Sequence, residues 1–138
     1  MTQKEKQILL QDLCARLPYG VKVAYLFWDE RKGEEYIVPM TVYSVNADGY
    51  MELIGDVDEE GGHVEIDKYL MYLRPMSSMT DKERFEYLNV CGNEMENALS
   101  SPRYSGIDWL NAHHFDYRGL IPKGLAIEVT EENNPYKV

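Results

Sequence analysis

The sequence predicts an α+β fold: a small, strongly bent antiparallel sheet of about four to five strands, flanked by one N-terminal helix and two C-terminal helices. Three observations predict it. Leu9, Leu13 and Leu17 repeat at helical spacing, residues 20–74 switch to a period of two with turn signals between the runs, and helical spacing returns after Pro75. At 138 residues, 44% hydrophobic and 12% aromatic, the chain is long enough to form a single domain over 1–138 without support from disulfides or metals.

Thr2 and Glu5 have the spacing of a capping box, so the first helix is expected over about 3–17, stopped by Pro18 and Gly20. Val21, Val23, Tyr25 and Phe27 then alternate with Lys22, Ala24, Leu26 and Trp28 as a strand, followed by the charged turn "DERKGEE". The run "YIVPMTVYSV" at 36–45 is equally β-prone, and Pro39 marks an edge or a bulge because it cannot donate to a ladder. Asp48-Gly49 is a hairpin turn leading into "YMELIG", and "HVEI" and "KYLMYLRP" complete the set. Such a series fits an SH3-like barrel as well as an open bent sheet.

Helix resumes at Thr80, which repeats the capping-box spacing with Glu83; Phe85, Leu88, Met95 and Leu99 continue an apolar stripe over about 81–99. Gly92 kinks or ends that helix, and Ser100-Ser101-Pro102 stops it. Ser105 and Asp108 open a short helix over about 106–114 that carries Ile107, Trp109 and Leu110. "GLAIEV" reads as a last strand or extended arm, and the tail 130–138 as frayed.

The formal net charge of −10, from 24 acidic and 14 basic side chains, opposes binding to phosphate backbones, so no direct nucleic-acid binding is expected. Part of the acid is concentrated in "GDVDEEGGHVEID" at 55–67, which holds Asp56, Asp58, Glu59, Glu60, Glu65 and Asp67 without a lysine or arginine and reads as a solvated hairpin loop. No leader-like segment begins the chain and no apolar run approaches the roughly 20 residues that span a bilayer. Cys14 and Cys91 stand singly. A cytoplasmic protein with reduced thiols and no membrane contact is the expectation.

The segment richest in chemistry is "HHFDYRGLI". Adjacent histidines diverge by about 100 degrees on a helix or face opposite sides of a strand, so His113 and His114 do not readily share an ion. If there is a metal site at all, it uses His113, His114 and Asp116; the more economical reading is a helix end. There, histidine interacts with the helix dipole, Asp116 closes an Asx-type turn, and Gly119 admits a positive φ. Tyr117 and Arg118 then either fold back on an acidic face or present a recognition surface, with Trp28 as a second exposed anchor. The phosphate-binding loop, the dinucleotide fingerprint, the nucleophile elbow and the zinc-protease helix motif are all missing, and no catalytic residue and no cofactor is expected.

The stretches "LCARLPYGVKV", "YLRPMSSMT" and "IDWLNAHHFDYRGLIPKGLAI" together resemble a widespread group of small uncharacterised proteins of Bacteroidales, often encoded in prophage or other mobile regions. That resemblance implies a bacterial or phage origin and an intracellular protein, and it transfers no catalytic residue. The middle of the chain, around "AYLFWDERKGEEYIVPMTVY", departs from the pattern by its length.

These readings lead to a non-enzymatic protein-binding module acting on an unknown protein partner. The first alternative is an acidic DNA-mimic decoy that occupies the basic groove of a nucleic-acid-binding protein. A metal-dependent hydrolase or nuclease is the second. The tyrosine and methionine content also suits an oligomer interface, which leaves a homo-oligomer open.

Overall fold

The computed structural model describes residues 1–55, 60–91 and 102–137, with 60–62 and 102–105 described as backbone alone. Helix α1 (Gln3–Arg16) opens the chain, and strands β1 (Lys22–Asp29), β2 (Glu34–Val45), β3 (Tyr50–Ile54), β4 (Glu60–Glu65) and β5 (Met71–Pro75) follow. Helices α2 (Asp81–Cys91) and α3 (Pro102–Ala112) come next, then the short strands β6 (Phe115–Asp116) and β7 (Ala126–Glu128). The fold is α+β.

Both capping boxes form. Thr2 and Glu5 exchange backbone-to-side-chain hydrogen bonds of 3.0 and 3.1 Å, and Thr80 and Glu83 do the same at 3.0 and 3.1 Å. The turn before β3 is closed by the Asn46 carboxamide oxygen, which accepts from the backbone N–H of Asp48 and Tyr50, with Gly49 at φ 86°. Of the second helix only Asp81–Cys91 is described; Gly92, Met95, Leu99, Ser100 and Ser101 lie outside the described residues. Helix α3 starts at Pro102, earlier than the expected 106, because proline at a first helical position sacrifices no intrahelical bond.

The sheet runs β4-β3-β2-β1-β5-β6, with β7 also on β5, and it is open. Strands β1 to β5 pair antiparallel, whereas β6 and β7 lie parallel to β5. An SH3-like closure and an all-antiparallel sheet are therefore both corrected. The free side of β5 is taken by chain returning from α3, and a parallel partner needs such a crossover. Among the described residues seven strands replace the four to five expected, since β6 and β7 are too short for any periodicity to reveal.

Pro39 occupies a local edge. Ala24, its partner across β1, sends its N–H to the Leu70 carbonyl on the β5 side (2.9 Å), so the Ala24–Pro39 pair is of the non-hydrogen-bonded kind. The proline nitrogen faces the side of β2 on which pairing with β3 begins only at Thr41. A bulge follows at Tyr43, between Val42 and Ser44.

One face of the sheet is sealed by α1. Leu9 and Leu13 pack on Val23, Met40, Val42, Met51, Leu53 and Leu73, all at most 4% exposed. Helices α2 and α3 pair with each other at the β5–β6 end, where the Tyr87 and Trp109 rings meet at 5.4 Å. Phe85 and Leu88, expected in a buried stripe, are 67% and 58% exposed because α2 turns Tyr87 and Cys91 toward α3 instead. The tail does not fray as expected: the Tyr136 hydroxyl donates to the Tyr72 carbonyl (2.7 Å) and accepts from the Lys22 N–H (3.0 Å).

Candidate functional site

The segment after α3 is consumed by structure. The His113 ring N–H donates to the Trp109 carbonyl at 2.9 Å, and its ring stacks on that indole with centroids 3.9 Å apart. His114, at φ 63°, stacks instead on Tyr136 at 3.6 Å. Positive φ is uncommon outside glycine, though histidine tolerates it better than β-branched residues do. Burial first, and then the positive charge of Arg16 and of more distant bases, lowers the His114 pKa to about 4, so the ring is neutral at pH 7. Asp116 receives the N–H groups of Leu120 (2.8 Å) and Ile121 (2.9 Å), closing a turn that passes through Gly119 at φ 72°.

Arg118 folds back. Its Nε donates to the Asp12 carboxylate at 3.0 Å, and the guanidinium carbons of Arg118 and Arg16 lie 5.3 and 5.2 Å from the centroid of the Tyr117 ring. Asp12 and Arg16 are fully buried within α1; Arg16 bonds Asp12 at 2.6 Å and the Phe115 carbonyl at 2.6 Å. One carboxylate thus serves two guanidinium groups and fastens α1 to β6 and its turn. Sequence reasoning missed Asp12 and Arg16. Their signal is phase, because positions 12 and 16 fall on the same helix face as Leu9 and Leu13.

Arg74 makes the corresponding link to α2. It pairs with Glu83 through two hydrogen bonds of 2.7 Å and lies over the Phe115 ring at 4.1 Å. Those hydrogen bonds hold the Glu83 carboxyl down at about 2, against the opposing effect of partial burial. The structure brings His114, Asp116, Tyr117 and Arg118 to one end of the sheet and sends the His113 and His114 rings onto different aromatic partners. Among the described residues, no three histidine, cysteine or carboxylate side chains converge on a point that could hold a metal.

Trp28 lies elsewhere, on the sheet face that α1 does not cover. Alternation and register place Leu26, Trp28, Ile37 and Pro39 on that face with Glu35, and Tyr43, Glu52 and Ile54 continue it across β2 and β3. Leu26 is 44% exposed, Trp28 53%, Ile37 61%, Tyr43 54% and Ile54 53%. A sheet facing water usually carries polar residues on its solvent side, so large apolar side chains there are a departure from that pattern.

No family model, curated protein or solved structure matches the chain.

The uncovered face leads into a groove of about 490 Å³. It is lined by Ile37 and Pro39 of β2, Tyr72 and Ile127 of the β5–β7 pair, and Pro135 of the anchored tail. The exposed Glu132 lines it as well. Glu65 shares the outer face with Glu52, opposite Tyr50, whereas Asp67 pairs with Lys6 at 3.3 Å. Residues 56–59 of the acidic turn lie outside the described residues, and β4 begins at Glu60.

Proposed function

We propose that this chain is a non-enzymatic, cytoplasmic protein-binding module whose contact surface is the uncovered face of the sheet, with Trp28 near the hairpin end of β1 as its aromatic anchor. The observation that carries the reading is the exposure of Leu26, Trp28 and Ile37 side by side on the β1–β2 hairpin. The hairpin carries these residues beyond the part of the sheet that packs on α1, with Tyr36 on its other face also 41% exposed, and aromatic residues in such positions are the usual anchors of an interface. Tyr117 and Arg118 contribute indirectly, by fixing α1 against the β6 turn, rather than as contact residues. An origin in a bacterial or mobile genome accords with the resemblance noted above.

The acidic-decoy reading asks for an unbroken row of carboxylates. It has less support, because Glu52 and Glu65 are interleaved with Tyr50, Ile54 and His63, and Asp67 is occupied by Lys6. A hydrolase built on His113, His114 and Asp116 has less again, since each already has a structural partner.

The test is comparative capture from a bacterial lysate, using the wild-type chain and a Trp28→Ser/Ile37→Ser variant at low and high salt. The expected result is a protein retained by the wild type at high salt and lost with the variant. Equal recovery by both would remove the sheet face from consideration.

A further inference from the structure

The uncovered face is charged as well as apolar. Glu35 sits across from Trp28, Glu52 and Glu65 lie further along the same face, and Glu132 lines the groove. Against them stands Lys22 at the far end of β1, and among its described lining residues the groove holds no lysine or arginine. The hairpin turn adds Asp29, Glu30 and Glu34 against Arg31 and Lys32. On a chain of net charge −10, a second copy would bring carboxylates against carboxylates across this face, which opposes self-association there.

Resting on the binding-module reading, we infer that the occupant is a basic amphipathic helix of another protein. Its apolar stripe lies along Leu26, Trp28 and Ile37, one large apolar side chain enters the groove between Pro39 and Ile127, and its lysines or arginines meet Glu35 and Glu132. The dimensions agree. From Ala24 to Trp28 the face extends roughly 15 Å, which matches about ten residues of helix. A helix laid there covers Leu26, Trp28 and Ile37, which are now 44%, 53% and 61% exposed.

The experiment uses the full chain labelled with ¹⁵N and three synthetic peptides of equal length. One is a leucine–lysine helix with leucines at i, i+3, i+4 and i+7, one replaces its lysines by glutamate, and one scrambles the basic sequence to destroy the stripe. The expected result is binding of the basic helix alone, with amide shifts confined to β1, β2 and the tail, and an affinity about tenfold lower for Glu35→Gln/Glu132→Gln at low salt.

Equal binding of the acidic or scrambled peptide at the same amides would overturn the basic-helix inference and leave the binding face intact. Shifts spread over carboxylates throughout the molecule would reduce the effect to non-specific attraction and overturn it too. If no peptide shifts β1 or β2, the inference fails, and the lysate comparison then judges the face separately. A dimer found by sedimentation and dispersed by Trp28→Ser would assign the face to a second copy and refute the heterologous partner.

Discussion

Acidification should loosen this protein through His114 before it reaches the carboxylates. In the unfolded chain the imidazole titrates at 6.5, but burial, with Arg16 as the next cause and His113, Arg74 and Lys22 behind it, lowers the folded value to about 4. Between those two values the unfolded chain takes up a proton that the folded chain refuses, so stability declines as pH falls through that window. The gap corresponds to at most about 3 kcal/mol, a large share of the 5–15 kcal/mol typical of a domain. Glu83 does not confuse the measurement: its folded value is depressed to about 2, so its contribution is complete above its ordinary 4.5 and is lost only below that. The assay is urea unfolding at steps from pH 7.5 to 4, for the wild type and for His114→Asn, which tolerates φ 63° and does not titrate. Relative to that variant, the wild type is expected to lose an extra 2 to 3 kcal/mol or so by pH 4. Parallel curves for the two proteins would refute the account, since every other titrating group is common to both.

Two further substitutions probe the packing. Asp12→Ala strips the buried Arg16 of its counterion and releases Arg118, with an expected loss of about 3–5 kcal/mol in chemical denaturation; a loss under about 1 kcal/mol would mean that water reaches Arg16. Gly106→Ala places a methyl 2.7 Å from the Cys91 sulfur and 3.5 Å from the Tyr87 ring, so the melting point should fall by the equivalent of about 1–3 kcal/mol. Combining it with Cys91→Ala should return part of that, and an unchanged deficit in the double variant would show that the sulfur is not the obstacle.

The features legible in the sequence are those that a few neighbouring residues decide. Thr2 with Glu5, and Thr80 with Glu83, satisfy helix-end donors locally, and Asn46 through Gly49 close a turn with their own atoms. The β1–β2 hairpin was legible for the same reason, its alternation being independent of what lies beyond. The parallel strands were not, because Phe115–Asp116 and Ala126–Glu128 acquire strand character only from β5, about forty and fifty-five residues away in sequence. The Asp12–Arg16 pair was missed for an opposite reason: an i, i+4 acid–base pair ordinarily belongs on a wet helix surface, and only the tertiary arrangement of Phe115 and Arg118 makes burial tolerable here. Phe85 and Leu88 show the converse, a stripe with core spacing that the turn of α2 toward α3 leaves in water.

That contrast separates the two sides of the sheet by what each residue costs to remove. On the α1 side, Asp12, Arg16 and the leucines are fully buried, and their partners lie on distant segments, so substitution there acts on the whole fold. On the other side, Trp28 and Ile37 keep more than half of their surface in water, and folding gains little from either. Residues that contribute so little to stability, yet are large, apolar and gathered on one hairpin, are the ones on which the proposed binding face rests. The ionic network belongs to the first side: it fastens α1 to the β6 turn and Arg118, so a substitution there reads out stability, whereas Trp28→Ser reads out the proposed contact surface.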